Sequence, residues 1–281
     1  MPDQNGADRW AAEHTSGLIP TFPLTLGPTT VLVLASALAT RVSWNHPFEL
    51  TEGTQLPSWD VSHVLLSAEE HLTALATTEA AGDLAVHVAA AGEGVRVISV
   101  ITDEDVRRER VFSAVFEIAH DMRQASRPHE FDRRLCLSDV PGTGHCWRIN
   151  ETTAWTNGHS VERSSAILPA WRAETDIDLA DSPAYGFTGA TPTLVRLLPS
   201  DTGLDVDARQ SAVASFTRIG FEAAAVTAGG LMTGVPVERP VLEGVFLFGR
   251  PYAVVAYAKG GRSWDGLPIF SAWVAKAVEA E

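Results

Sequence analysis

The residues of this chain that could carry out catalysis or bind a metal are its histidines and cysteines. His159 stands beside Ser160, and a hydroxyl next to an imidazole is the first requirement of a nucleophile with its general base. A hydrolase also needs an orienting acid and a sharp turn that exposes the nucleophile, and the sequence contains no Gly-x-Ser-x-Gly motif. The enzyme hypothesis is therefore poor, and histidines such as His87 and His120 are interpreted as core or surface residues.

Cys136 and Cys146 are the only cysteines, and His145 precedes the second of them. They could form a disulfide across a short loop, bind a metal together with His145, or remain free thiols. Two thiolates and one imidazole are an incomplete zinc set, and two cysteines make no disulfide framework. We therefore expect free thiols, no metal site and no cofactor.

The composition favours a globular protein and excludes two classes of partner. The chain has 281 residues, of which 45% are hydrophobic, enough to bury the core of one large or two ordinary domains. A formal net charge of -14 repels phosphate backbones and anionic lipid surfaces, so nucleic acid and membrane are poor partners. No apolar run reaches the roughly 20 residues of a membrane helix, and the first residues lack the features of a secretion signal.

The chemistry depends on the elements that position these residues, and most of the predicted elements are strands. Their signal is an apolar run or an alternation of apolar and polar residues bounded by turn residues. The predicted strands are Val31–Leu38, Val95–Ile101, Ser165–Leu168, Trp171–Leu179, Ala212–Thr217, Pro251–Ala258 and Pro268–Val274.

Helical periodicity is limited to two places. Asp8–Thr15 is typical of a helix end closed by Gly17, and a second helix is predicted from Asp103 to about Ala125. The polar stretch Ser126–His159, which is broken by Pro and Gly, predicts an irregular insertion. Since strands outnumber helices, the sequence predicts an α+β fold with extensive antiparallel sheet.

Four separate segments resemble the serpin family of protease inhibitors, in the order and at about the spacing of that family. The third contains Leu-Pro followed by Trp171 in the aromatic place, and the fourth leads through Gly220 into an Ala-rich stretch and closes with two C-terminal strands. The segments are Trp10–Ile19, Leu32–Phe48, Leu168–Ala190 and Gln210–Val274.

This resemblance implies a single serpin-like domain over residues 1–281, with large antiparallel-rich sheets and peripheral helices. Elements that serpins place before Trp10 are missing, so we expect an N-terminally incomplete domain. A sheet-opening region is implied at Ser36, Trp44 and Gln210, and a reactive loop over residues 220–245. The hinge of that loop is expected at Gly220, Phe221, Glu222, Ala223, Ala224, Ala225, Val226 and Thr227.

The resemblance implies inhibition of a serine protease, in which a cleaved loop inserts into a sheet as a new strand, and it implies no catalytic residue in this chain. The family's spacing places the cleaved bond between Gly234 and Val235, whereas Leu231 or Met232 would better anchor a chymotrypsin-like or subtilisin-like protease. Phe221 follows Gly220 where inhibitory serpins usually have a small residue, which favours the alternative of a non-inhibitory binding protein or a mere substrate. The resemblance implies an extracellular protein, and a genuine start at Met1 implies a cytoplasmic one.

Overall fold

The computed structural model of this protein describes residues 3–27, 30, 43–92, 94–125, 130–156, 162–180, 182–197, 208–220, 237–259 and 265–281. The helices in these ranges are α1 (Gln4–His14), α2 (Arg108–Gln124) and α3 (Phe187–Leu197). The strands are β1 (Glu49–Glu52), β2 (His63–Leu66), β3 (Leu72–Thr78), β4 (Gly82–Ala91), β5 (Val95–Thr102), β6 (Arg134–Leu135), β7 (Trp147–Thr156), β8 (Glu162–Leu168), β9 (Trp171–Asp178), β10 (Arg209–Phe216), β11 (Val237–Leu247), β12 (Tyr252–Ala258) and β13 (Pro268–Val274).

These strands form three sheets. One has six strands in the order β13-β12-β5-β4-β3-β6, one has five in the order β1-β2-β8-β11-β7, and one contains β10 and β9. Wherever the register is defined among the described residues, neighbours are antiparallel except β11 and β8, which are parallel. The predicted α+β fold with extensive antiparallel sheet is therefore confirmed. In the described part of the chain, no helix has both the length and the apolar character needed to cross a membrane.

The described residues divide into two compact units. One unit contains residues 1–40 and 172–214, and the other contains residues 41–171 and 215–281. The assignment of residues 1–281 to a single serpin-like domain stays a prediction.

In the first unit, helix α1 packs on the chain that follows it. Asp3 caps the helix by accepting a 2.8 Å hydrogen bond from the Gly6 N–H. At the other end Gly17 has a φ of +81°, and its N–H donates to the Ala12 carbonyl. The helix end and the closing glycine were both predicted, because a left-handed residue at this place favours glycine.

In the second unit, the core lies between α2 and one face of the six-stranded sheet. Alternate β5 residues, Ile98 and Val100, contact α2, whose buried side chains recur every three or four positions. The buried residues of α2 are Val111, Ala114, Val115, Ile118 and Met122. The predicted helix is thus confirmed, but its start at Asp103 is wrong: the Asp103 carboxylate accepts the backbone N–H groups of His145 and Cys146, so it stabilises a loop rather than a helix end.

The other strand predictions that fall on described residues are confirmed as β5, β8, β9, β10, β12 and β13. Val31–Leu38 lies outside the described residues. The irregular insertion predicted for Ser126–His159 is wrong in its second half, where β7 pairs with β11 over the register Trp147–Thr156. The polar composition of β7 suits its place as an edge strand, where one side faces solvent.

The predicted loop region of residues 220–245 is shorter in the structure, because its last part belongs to β11. This strand contains Pro240, and proline cannot donate a ladder hydrogen bond. Pro240 pairs with Thr153 of β7, and among the described residues the pairing of β11 with β8 begins at Leu242.

Candidate functional site

The candidate site is the place where the end of β10 meets the segment that precedes β1. We call residues 43–48 the clamp segment and residues 216–220 the anchor segment. The Trp44 N–H donates to the Ile219 carbonyl over 3.3 Å, and the Phe48 N–H donates to the Arg218 carbonyl over 2.9 Å. Ser43 and Gly220 form an antiparallel bridge. The anchor segment is therefore held as a short extension of sheet structure.

Side chains reinforce this backbone pairing. The indole N–H of Trp44 donates a 2.8 Å hydrogen bond to the Thr217 carbonyl. Phe216 is 1% exposed, and its ring centroid lies 4.9 Å from that of Trp44 and 5.2 Å from that of Phe48. On its other side Trp171 stacks on Phe216 at 5.8 Å. A buried aromatic cluster thus fixes the start of the anchor segment.

Gly220 ends the anchor segment in a conformation that favours glycine. Its φ is +86°, in the left-handed region that L side chains rarely adopt. The Thr217 hydroxyl donates a short hydrogen bond to the Gly220 carbonyl, which closes a tight turn. Gly220 is the first of the predicted hinge residues.

Most of the predicted site residues lie outside the described residues, namely Ser36, Phe221, Glu222, Ala223, Ala224, Ala225, Val226, Thr227, Leu231, Met232, Gly234 and Val235. Trp44 and Gly220 lie within the described ranges, and the structure brings their two segments together. Gln210 lies on β10 with an exposed side chain. The roles assigned to all of these residues stay predictions.

The site also contains residues to which the sequence alone assigned no role at this place. Thr217 and Phe216 contact Trp44 directly, and His71 with His87 lies behind Phe48. A signal for His87 exists in hindsight: it is a polar residue in the apolar run of β4. Nothing local to the sequence indicates its partner, because that contact depends on strand register.

The rival chemistry around Cys146 gains no support from the geometry. Cys136 and Cys146 are free thiols, the first exposed and the second buried. Burial, and after it the nearby Asp103 carboxylate, raises the pKa of Cys146 to about 12, so the thiol is protonated and a poor nucleophile. Among the described residues, no group of three His, Cys, Asp or Glu side chains is arranged to hold a metal ion. His159 and Ser160 lie outside the described residues.

Comparison with known proteins gives a match at the level of structure. No family model and no curated protein sequence matches the chain. Thyroxine-binding globulin in complex with thyroxine matches with a TM-score of 0.55 and 15% identity, over 98% of this chain and 65% of that chain. Human glycosylated kallistatin matches with a TM-score of 0.55 and 12% identity, over 98% of this chain and 63% of that chain. The thermophilic serpin tengpin, in its native state, matches with a TM-score of 0.51 and 14% identity, over 96% of this chain and 62% of that chain.

These matches show that the chain has the serpin fold, which confirms the fold implied by the sequence resemblance. The chain spans 62–65% of the length of these proteins. At 12–15% sequence identity, the likeness to these proteins shows the fold alone. Function has to be argued from the site.

Proposed function

We propose that this chain acts as a serpin-type inhibitor of a serine protease. In this proposal the protease cleaves a loop that follows Gly220, and the freed segment enters a sheet as a new strand before the enzyme is released. The chain is then a suicide substrate and not a catalyst.

The observation that carries the proposal is the attachment of both ends of segment 221–236. The clamp segment holds residues 216–220 on one side through two backbone hydrogen bonds and the Trp44 indole. On the other side β11 pairs with β7 from Val237 to Phe246. A segment fixed at both ends is suited to present a bait sequence to a protease.

The sequence of the loop supports insertion in most respects. A segment that enters between two strands has to be extended and free of proline, because its N–H groups must pair with both neighbours. Glu222–Thr227 contains no proline and is half alanine, while Pro236 lies beyond it. Ordering about 14 residues costs on the order of 14–28 kcal/mol. New hydrogen bonds at ~1 kcal/mol each return a similar amount, so the net driving force has to come from the side chains that the sheet buries and from strain in the uncleaved sheet.

Phe221 is the residue on which the outcome depends. A phenylalanine directly after Gly220 is the bulkiest group that has to enter the opening sheet first. Slow insertion gives the protease time to hydrolyse the acyl bond and leave. We therefore propose partial inhibition in which some molecules form a stable complex and others are only cleaved.

The test is to mix the intact protein with chymotrypsin and, separately, with subtilisin, followed by denaturing gel electrophoresis. A covalent adduct that survives denaturation is expected, and sequencing of the released peptide identifies the cleaved bond. A peptide that starts at Val235 supports the Gly234–Val235 bond, while one that starts after Leu231 or Met232 supports those anchors. The same protease with its serine blocked should give no adduct.

Two matched variants sharpen this test. Phe221→Thr should raise the fraction of adduct because the leading side chain becomes small. Ala223→Phe should lower it because a second bulky group enters the sheet. Cleavage without any adduct in both the wild type and Phe221→Thr would refute the inhibitor proposal.

A non-inhibitory binding protein with the serpin fold is the second candidate, and Phe221 is the observation that favours it. One protein of similar fold is thyroxine-binding globulin, solved in complex with thyroxine. For this candidate, proteases would cleave the loop without being trapped, and Phe221→Thr would not change that result.

A further inference from the structure

Two buried histidines are in direct contact behind the clamp segment. His71 precedes β3 and His87 lies in β4, and the Nδ1 atom of His71 is 3.0 Å from the Nε2 atom of His87. The Nε2 atom of His71 is 2.7 Å from the backbone carbonyl oxygen of His46. His87 is fully buried and His71 is 7% exposed. The pair lies on the sheet face opposite α2, because Val86 and Val88 on either side of His87 face the helix.

The hydrogen bonds fix the protonation state of this pair. A carbonyl oxygen only accepts, so Nε2 of His71 carries a proton and, in the neutral ring, Nδ1 accepts. The Nε2–H of His87 then donates to that Nδ1, which leaves the Nδ1 atom of His87 without a proton. Within the described residues this buried atom has no hydrogen-bond partner.

The closed pair therefore has no favourable place for an additional proton. A proton on Nδ1 of His71 either faces the N–H of His87 at 3.0 Å or, if the His87 ring carries its own proton on Nδ1, leaves that buried N–H without an acceptor. A proton added to Nδ1 of His87 creates a buried cation with no acceptor, which is costly. Each protonated form of the closed pair is therefore disfavoured, and separation of the two rings relieves the cost.

The surroundings of the pair reinforce this preference for the neutral form. Burial lowers the pKa of His71, and burial followed by the proximity of His71 lowers the pKa of His87 well below its ordinary value. Among the described residues, the ionisable groups that act on the pair are His46, from the clamp segment, and Glu70, from the turn before β3. The hydrogen bond to the His46 carbonyl and, as a smaller contribution, the Glu70 carboxylate 3.7 Å from the His46 ring oppose this lowering of the His71 pKa without reversing it. The neighbouring strands β3 and β5 contribute neutral hydroxyls, Thr73 and Ser99, as the register partners of His87.

Phe48 connects the pair to the candidate site. Its ring centroid lies 4.6 Å from that of His71 and 5.4 Å from that of His87. The same ring lies 5.2 Å from Phe216, and the Phe48 N–H donates to the Arg218 carbonyl. Phe48 therefore contacts both imidazoles on one side and the anchor segment on the other, so it is the side chain through which a change in the His71–His87 spacing would reach residues 216–220.

We propose that the His71–His87 pair is an acid-sensitive latch, in which proton uptake separates the rings, displaces Phe48 and releases residues 216–220 from the clamp segment. The latch itself requires only the contacts above. Its consequence, an easier departure of the loop after Gly220 in acid, rests on the proposed inhibitor function.

The size of the effect follows from proton linkage. In the closed form both rings are neutral, and in the open form each takes up a proton with an ordinary pKa of about 6.5. The open population therefore rises as the pH falls, by up to about a hundredfold between pH 7.5 and pH 5.5 when both rings titrate. Above pH 7.5 the latch should not respond.

The test is amide hydrogen exchange of the intact protein at pH 7.5 and pH 5.5, with rates corrected for the intrinsic effect of pH. Peptides that contain residues 43–48 and 216–220 should lose protection by up to about a hundredfold in acid. A peptide from β12 should keep its protection. The double variant His71→Gln/His87→Gln should abolish the response, while His63→Gln, which removes an exposed imidazole, should leave it unchanged.

A second measurement needs no variant. Carbon-13 NMR of the histidine rings should show two of them resisting protonation until the anchor segment opens. Equal protection at both pH values, an unchanged acid response in the double variant, or simultaneous loss in β12 would each overturn the latch. No protease enters these experiments, so their result is independent of whether a covalent adduct forms.

Discussion

The indole N–H of Trp44 donates a 2.8 Å hydrogen bond to the backbone carbonyl of Thr217. This bond joins a residue that precedes β1 to one that directly follows β10. Because Trp44 is 3% exposed, the bond is shielded from water on the side of the indole. The position of the anchor segment therefore depends on Trp44 as well as on its own strand.

Replacing Trp44 by phenylalanine tests this dependence. The aromatic contacts with Phe48 and Phe216 are largely kept, while the Thr217 carbonyl loses its donor. We expect a loss of about 1–2 kcal/mol in the free energy of unfolding, measured by urea denaturation. Trp155→Phe is the control, because Trp155 is 67% exposed and its replacement should change stability very little. Equal effects of the two variants would contradict the assignment.

The left-handed conformation of Gly220 gives a second prediction. Its φ of +86° is strained for any residue with a Cβ, so Gly220→Ala should destabilise the protein by about 1–2 kcal/mol. Gly94→Ala is the matched control. A Cβ at Gly94 meets nothing within 4 Å, and no left-handed φ is required there. If Gly220→Ala unfolds at the same urea concentration as Gly94→Ala, the turn at Gly220 is not a constraint.

The parts of the fold that could be predicted from the sequence are those in which one buried face makes apolar residues recur at a regular spacing. Helix α2 and strand β5 follow the expected apolar spacing because each packs against the other in a single core. Strand β7 could not be predicted, since an edge strand with polar residues on both faces has the composition of a loop. Residues 237–245 of strand β11 fall within the loop region that the family resemblance implies, and only the pairing of β11 with β7 shows where that region ends.

The candidate site also has a part that could be predicted from the sequence and a part that could not. Gly220 and Trp44 were singled out by resemblance to a family. That their segments meet depends on long-range pairing that no local pattern contains. The contact between His71 and His87 was not predicted, because it requires the register of β3 against β4, and a histidine in an apolar strand is by itself more often a satisfied core residue.

The C-terminal segment gives a third prediction, through the carboxylate of Glu279. It accepts hydrogen bonds from the backbone N–H groups of Ser62 and His63 at 2.8 Å and 2.9 Å, and it lies 3.0 Å from the His63 ring. These bonds, that from Ser62 first, lower the pKa of Glu279. A lowered carboxyl pKa means that the contact stabilises the folded state above the ordinary pKa and that this contribution is lost as the pH falls through the lowered value.

Glu279→Gln should therefore speed hydrogen exchange at the amides of Ser62 and His63 several-fold at pH 7. The difference between variant and wild type should disappear as the pH falls below the pKa of Glu279. Glu281→Gln, two residues further on, removes a charge without removing these bonds and serves as the control. A faster exchange that is the same in both variants would indicate a general charge effect instead.

The two thiols give the last prediction, because the structure separates them sharply. Cys136 is exposed, whereas Cys146 is buried and its pKa is raised to about 12, so at pH 8 only about one Cys146 in ten thousand is a thiolate. Iodoacetamide at pH 8 should therefore modify Cys136 alone in the folded protein and both thiols in urea, as read by peptide mass spectrometry. Cys136→Ser should leave the folded protein unmodified. Rapid modification of folded Cys136→Ser would show that Cys146 is reached by solvent, and the loop that Asp103 holds over His145 and Cys146 would then have to open readily.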